Sequence, residues 1–334
     1  MELWLAVTFA LAFAFTNGFH DAANAIATLV ATRGAGPGPA IALSAVFNLL
    51  GALLVGTAVA NTIAGIVTVD PADAVAAIGA GALAAVVWNL LTWWRALPSS
   101  SGHALVGGLV GAALAAGGLD AVRWGGLDGW KPVGAFGVLI ALAVSPVLGL
   151  AFGVAAIRLS RRALRRATLR VRRPIDWAQW AMSAGLSFSH GANDAQKAMG
   201  VVGALLVAGG RLETFAVPLW AMLACGLALT VGTSLGGWRI VQTIGRRIFR
   251  LTPLDGFSSQ AASTAVIFGS SLAGAPVSTT QVVASSVIGV GGGRRRLAHV
   301  RWTVVGSMAF AWLLTLPATA ALGAAAFVVW TGIA

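Results

Sequence analysis

Charge is scarce in this chain. Only 10% of its 334 residues are Asp, Glu, Lys or Arg, against about 25% in an ordinary soluble domain. The apolar share is 58% and the mean hydropathy +0.86. So little polar surface cannot coat a water-facing globule, which excludes a soluble enzyme. It also excludes a disordered chain, which needs low hydrophobicity and high net charge. Cysteine is nearly absent: Cys225 stands alone in an apolar run, cannot form an internal disulfide, and reads as a small core residue. Acids are scarcer than bases, 10 against 22. In a soluble domain the resulting +12 would suggest nucleic acid. Here eight arginines fall between Arg158 and Arg173, and most others lie in short gaps between apolar runs. That is the pattern of loops held on the cytoplasmic side of a membrane. A cleavable leader is not expected, because the first apolar run starts at Leu3, has no basic segment before it and is too long for a signal-peptide core.

What the chain does have is apolar sequence in runs long enough to span a bilayer, about 20 residues each. They cover 3–29, 39–67, 75–94, 133–157, 177–208, 215–241 and 302–330. Three shorter runs, 98–119, 257–272 and 276–290, are rich in Gly, Ser or Thr and suggest broken or re-entrant helices. The expected fold class is an all-α polytopic membrane protein with ten to twelve membrane segments, multi-pass in the cell membrane. Threading all ten runs as crossings forces each gap alternately to one side. With Arg158 to Arg173 inside, Arg33, Arg95, Arg246, Arg247, Arg250, Arg294 to Arg296 and Arg301 all fall inside as well. The gaps with Asp70 and Asp73, with Asp120, Arg123, Asp128 and Lys131, and with Arg211 and Glu213 fall outside. Both termini are then extracytoplasmic.

The chain also repeats itself. Phe15-Thr16-Asn17-Gly18-Phe19-His20-Asp21-Ala22-Ala23-Asn24-Ala25 matches Phe188-Ser189-His190-Gly191-Ala192-Asn193-Asp194-Ala195-Gln196-Lys197-Ala198. Val55-Gly56-Thr57 recurs as Val231-Gly232-Thr233, and Pro98-Ser99-Ser100-Ser101-Gly102-His103 as Pro276-Val277-Ser278-Thr279-Thr280-Gln281. Each half holds five crossings, an odd number, so the second copy enters the bilayer upside down. Two inverted-topology repeats, 1–157 and 177–334, joined by a basic cytoplasmic linker over 158–176, point to a secondary transporter with its site near the midplane.

Asp21 and Asp194 lie inside apolar runs, where a carboxylate at the bilayer centre costs about 2.5 to 3.5 kcal/mol on insertion scales. Such residues usually serve ion or substrate pathways. At helical spacing Asn17, Asp21 and Asn24 share one face, as do His190, Asp194 and Lys197. Lys197 can neutralise Asp194, hold an anion, or do both. Pro98 and Pro276 mark helix starts, where Ser99 to Ser101 and Ser278 to Thr280 offer capping hydroxyls. A half-helix beginning at membrane depth directs unpaired N–H groups and a positive dipole end at its ligand, which suits a tetrahedral oxyanion. His103 and Gln281, at matched positions, can donate to it.

These paired segments resemble the signatures of the inorganic phosphate transporter (PiT) family, over about Phe15 to Gly291. The resemblance implies inverted repeats, phosphate held between two hydroxyl-rich re-entrant tips, and symport driven by sodium in some members and protons in others. It places ion and substrate contacts at Asp21, Asn24, Asn193 and Asp194, and phosphate contacts at Ser99 to Ser101 and Ser278 to Thr280. Sodium-coupled members carry Glu where this chain has Asn48, Asn61 and Gln260, and Asn where it has Lys197. Those departures weaken a sodium site, so proton coupling through Asp21 or Asp194 is expected, with sodium coupling as the alternative. The cargo is inorganic phosphate, bare or as a neutral metal–phosphate complex, with sulfate as the rival anion. An intramembrane hydrolase built on Ser100 or Ser101 with His103 leaves the duplicated Asp motifs without a purpose, and a passive channel would show uncoupled flux. No cofactor or resident metal is expected, nucleic acid is not a partner, and a homo-oligomer in the bilayer is compatible with the sequence.

Overall fold

The computed structural model describes residues 1–129, 131–168, 171–235, 241–294 and 297–333. Arg170 of the basic linker, positions 236–240 of one apolar run, and Arg295 and Arg296 lie outside the described residues, as do the side chains of Arg246 and Asp128. Among the described residues there are eleven α-helices. They are α1 (Glu2–Ala31), α2 (Pro37–Leu54), α3 (Ala58–Ala64), α4 (Pro71–Trp94), α5 (Ser101–Gly117), α6 (Gly134–Ala163), α7 (Arg172–Ala208), α8 (Leu219–Leu235), α9 (Pro253–Leu272), α10 (Thr279–Gly293) and α11 (Trp302–Ile333). The one strand pair described is a two-residue ladder, Leu127–Asp128 with Lys131–Pro132. Helices α1, α2, α4, α5, α6 and α11 are long and apolar enough to cross a bilayer, and α8 is apolar but 17 residues long.

Side-chain contacts show which helix ends gather together, and chain order gives the direction of the legs between them. Trp4 meets Trp220 and Phe9 meets Trp330, so the starts of α1 and α8 and the end of α11 gather at one end of the molecule. Both termini lie there. At the other end Thr32 donates to Gln179 Oε1 at 2.7 Å, Trp180 Nε1 donates to the Gly34 carbonyl at 2.9 Å, and Arg294 pairs with Asp255. The described arginines Arg33, Arg95, Arg247, Arg250, Arg294 and Arg301 lie in turns and helix ends on that side. The legs therefore alternate, with α1, α4, α6, α8 and α10 running away from the termini and α2, α5, α7, α9 and α11 running back.

Two expectations from sequence are corrected. The run 39–67 is not one segment: α2 stops at Leu54, Gly56 turns the chain at φ +87°, and α3 is a separate seven-residue helix. Gly56 therefore sits in a turn while Gly232 lies inside α8, so the Val-Gly-Thr triplets are not structural counterparts. The counterpart of Gly232 by packing is Gly51. A methyl on Gly232 would overlap the Phe15 carbonyl of α1, and a methyl on Gly51 would overlap the Phe188 carbonyl of α7. Small residues let these helices cross with backbones in contact. The run 257–272, expected to be broken, belongs to the continuous 20-residue helix α9, started by Pro253 and a Thr252–Asp255 capping box.

The other two short runs each hold a short helix, α5 and α10. At 1.5 Å per residue the 17-residue α5 and the 15-residue α10 are about 26 and 22 Å long, against about 36 Å for the 24-residue α4. Each of the two follows an extended strap that dips back into the protein, and each begins at depth. The two straps are built alike. Ala96 N–H bonds the Trp93 carbonyl and Leu97 N–H bonds Thr92, while Gly274 N–H bonds Ser271 and Ala275 N–H bonds Ser270. This Schellman-type closure needs a left-handed residue, Ala96 at φ +55° and Gly274 at φ +73°. Ser100 Oγ then accepts from His103 N–H at 3.2 Å, and Ser278 Oγ from Gln281 N–H at 3.4 Å, capping α5 and α10.

Candidate functional site

The two caps point their helix starts at the middle of α1 and α7. There Asp21 and Asp194 are brought together by the crossing of these helices, and both tips bond to them. Ser101 Oγ of α5 donates to Asp21 Oδ2 at 3.1 Å, and Thr280 Oγ1 of α10 donates to Asp21 Oδ1 at 3.0 Å. Thr279 Oγ1 donates to Asp194 Oδ2 at 3.0 Å. Asn24 Nδ2, one turn after Asp21, donates to Thr280 Oγ1 at 3.0 Å and to Thr279 Oγ1 at 3.4 Å. Four helices thus converge on two carboxylates. None of Asp21, Asp194, Lys197, Ser101, Thr279 and Thr280 is more than 3% exposed, so the site is closed to both ends.

Charge at the site is unequal. Lys197, one turn beyond Asp194 on α7, pairs with Asp194 Oδ1, and its ammonium also donates to the Val277 carbonyl at 2.9 Å. A methyl built on Gly102 would lie 3.3 Å from Lys197 Nζ, so this cation reaches both tips. His190 Nε2 lies 2.9 Å from Asp194 Oδ2, close but not aligned as a hydrogen bond, and its Nδ1 is 3.1 Å from Asn48 Oδ1. Asp21 has no lysine or arginine beside it among the described residues; its neighbour is His20 Nδ1 at 2.9 Å from Oδ1. Ligand atoms of Asp21, His190 and Asp194 lie within 4.8 Å of one another, a spacing that could hold a cation.

Not every candidate from sequence reaches the carboxylates. Ser99 bonds Thr92 Oγ1 at 2.9 Å and lies 3.3 Å from His20 Nε2, one shell away from Asp21. Ser100 and Ser278 cap their own helices, and His103 Nδ1 lies 2.7 Å from Ser100 Oγ. That contact is a cap reinforcement, not a nucleophile beside its base. Asn193 turns away to Ser271 Oγ at 3.1 Å and the Ala275 carbonyl at 3.3 Å. Gln281 Oε1 and Asn24 Oδ1 are buried acceptors without a partner. Two residues that the sequence did not single out, His20 and Thr92, complete the surroundings of Asp21, Thr92 Oγ1 lying 3.2 Å from His20 Nε2. The signal for His20 was its place beside Asp21 in an apolar run.

A family profile matches the sequence over most of the chain. Residues 17–323 fit the profile of the Phosphate transporter family. The chain belongs to that family. As a phosphate transporter family member it is a multi-pass membrane transporter and not an enzyme. It is 39% identical over 329 residues to a probable low-affinity inorganic phosphate transporter of Bacillus subtilis, covering 97% of this chain and 95% of the relative. A protein of the same description from Mycobacterium tuberculosis is 43% identical over 326 residues, covering 96% of this chain and 76% of the relative. The structure described as the sodium-dependent phosphate transporter superposes with a TM-score of 0.86 at 27% identity, covering 100% of both chains.

Proposed function

We propose that this phosphate transporter family member imports inorganic phosphate by cation symport, with the proton as the coupling ion. The observation that carries the reading is the charge count of the closed site. Two carboxylates face one ammonium, Lys197, so with neutral histidines the site is already one negative charge in excess. A buried site in that state cannot accept an anion unless a cation enters with it, because uncompensated charge at membrane depth is costly. Asp194 already has its cation. Asp21 does not, and a proton added there converts an acceptor of two hydroxyl bonds into a neutral group. Ser101 and Thr280 are then free to turn their protons to phosphate, beside the N–H groups at the starts of α5 and α10. The unpartnered Asn24 Oδ1 and Gln281 Oε1 suit a ligand that also donates, which phosphate does at neutral pH and sulfate does not.

Two repeats of inverted topology underlie the reading. The support is that α1 packs on α8 as α7 packs on α2, that α5 packs on α11 as α10 packs on α6, and that the straps close with the same bonds. The arginine-rich end is taken as cytoplasmic.

A sodium-coupled mechanism is the second reading, favoured by the sodium-dependent transporter structure and by the 4.8 Å cluster of Asp21, His190 and Asp194. Proteoliposomes decide between them. Labelled phosphate is expected to accumulate under an inwardly directed proton gradient without sodium. Uptake that requires sodium and ignores the gradient would overturn proton coupling. In the same vesicles, removal of divalent cations by a chelator separates the cargoes: bare phosphate continues to accumulate and a metal–phosphate complex does not.

A further inference from the structure

Between α3, α6 and the end of α9, at the end of the molecule that carries both termini, lies a cavity of about 440 Å³. Its wall includes Asn61 and Thr62 of α3, Lys131, Ser270 of α9, and the strap 273–277. We propose that this cavity is the access route to the paired-aspartate site from the termini end, and that the strap Gly274–Val277 is the gate that closes it. The proposal rests on the symport reading for what passes through. The geometry of the gate is independent of that reading.

Beyond the backbone bonds that close the end of α9 onto Gly274 and Ala275, the strap joins no sheet among the described residues and its carbonyls are held by side chains. Thr62 Oγ1 donates to the Gly274 carbonyl at 2.7 Å. Asn193 Nδ2 donates to the Ala275 carbonyl at 3.3 Å, and Lys197 Nζ to the Val277 carbonyl at 2.9 Å. Just beyond, Ser278 N–H donates to Ser145 Oγ of α6 at 3.2 Å. Four side chains therefore pin four of the five residues 274–278, which pair with no strand. Such a segment opens by breaking a few side-chain bonds, without unfolding a helix. Val277 is the residue at which the two compartments meet, since it lines the cavity while its carbonyl binds the ammonium that neutralises Asp194.

The opposite strap lacks this connection. Its Pro98 carbonyl accepts from the indole Nε1 of Trp312 at 3.0 Å, and Asn24, at the position matching Lys197, bonds Thr279 and Thr280 instead. Among the described residues, no charged side chain bonds a carbonyl of 96–98. Among the described residues, the strap at the termini end has a backbone carbonyl bonded to the ammonium of the site, whereas the opposite tip meets the site through the hydroxyls of Ser99 and Ser101. An anion that draws the Lys197 ammonium towards itself removes one of the bonds closing this strap, so occupancy and gate are coupled through one side chain. Lys197 acts here as a positioning residue for the gate as well as a counter-ion.

The test is the accessibility of residue 277 to a membrane-impermeant thiol reagent, a charged methanethiosulfonate, in proteoliposomes with the termini end facing out. The native Cys225 is buried and serves as the background. In a Val277→Cys protein that retains phosphate uptake, labelling is expected to be slow, and roughly fivefold faster when Thr62→Val removes one latch bond. Lys197→Met in the same background is expected to raise labelling at least as much while abolishing accumulation. Labelling at position 277 that is unchanged by both substitutions, or that proceeds only from the arginine-rich end, overturns the gate. Failure of proton coupling in the uptake assay with this labelling pattern intact would remove the symport reading and leave the gate standing.

Discussion

Asp21 and Asp194 occupy matched positions but have different partners, and their variants should differ accordingly. Asp21 bonds hydroxyls and a neighbouring imidazole; Asp21→Asn keeps one acceptor oxygen for the tips, turns the other into an amide donor that a hydroxyl can meet by rotating, and loses the charge and the ability to bind a proton. It is expected to fold and insert with normal yield and to lose phosphate accumulation. Asp194→Asn strands the Lys197 ammonium, and breaking one side of a buried pair costs about 3 to 5 kcal/mol. That variant is expected to lose transport and to melt earlier in detergent, while Asp194→Asn combined with Lys197→Met recovers much of the stability without the activity. Equal melting of the single and double variants would mean that the pair carries little of the fold's stability. These three charges were legible in the sequence because ionised side chains stand out in apolar runs. The pairing of Asp21 with His20 and Thr92 was not, since Thr92 is 72 residues from His20 and a lone hydroxyl in a helix carries no signal of its own. Nor could sequence separate Ser101, Thr279 and Thr280, which reach the carboxylates, from Ser100 and Ser278, which cap. Only the side-chain directions at a helix start make that distinction.

At the scale of elements, the straps depend on left-handed residues at 96 and 274. Ala96 adopts φ +55° with a Cβ, a conformation that costs an L-residue about 1 to 2 kcal/mol, and Gly274 avoids that cost. Ala96→Gly is therefore expected to raise the melting temperature slightly. Gly274→Ala is expected to lower it and to slow transport, because the added methyl would also sit 3.2 Å from the Ala58 carbonyl. Thermal unfolding of the purified protein checks both, and a stabilising Gly274→Ala would show that the strap is not held in this geometry. Pro98 and Pro276 made the starts of α5 and α10 readable in the sequence, as did the Ser and Thr beside them. The break between α2 and α3 was hidden because hydrophobicity continues unbroken through Val55 and only the φ +87° of Gly56 ends the helix. In α9 the opposite held. Ser258, Ser259, Gln260 and Ser263 lowered its apolar character, yet all four are buried against neighbouring helices, so a continuous span looked like a broken one.

At the scale of the whole molecule, the ten alternating legs among the described residues set both ends of the chain at one end of the bundle and the described arginines of the gaps between 33 and 301 largely at the other. Tags on the two termini are expected to be cleaved together by protease added outside cells, and cleavage of one alone would contradict the threading. The chain's net charge of +12 comes from the loops and has no bearing on the substrate. The charge held at the crossing of α1 and α7 is two carboxylates and one ammonium, all buried. From that imbalance follows the claim that phosphate brings a proton with it. The most direct measurement is the pH inside sodium-free proteoliposomes when phosphate is added outside. The lumen is expected to acidify beyond what passive leak gives, with wild-type protein and not with Asp21→Asn. Phosphate entry with no acidification, or acidification that persists in Asp21→Asn, would contradict it.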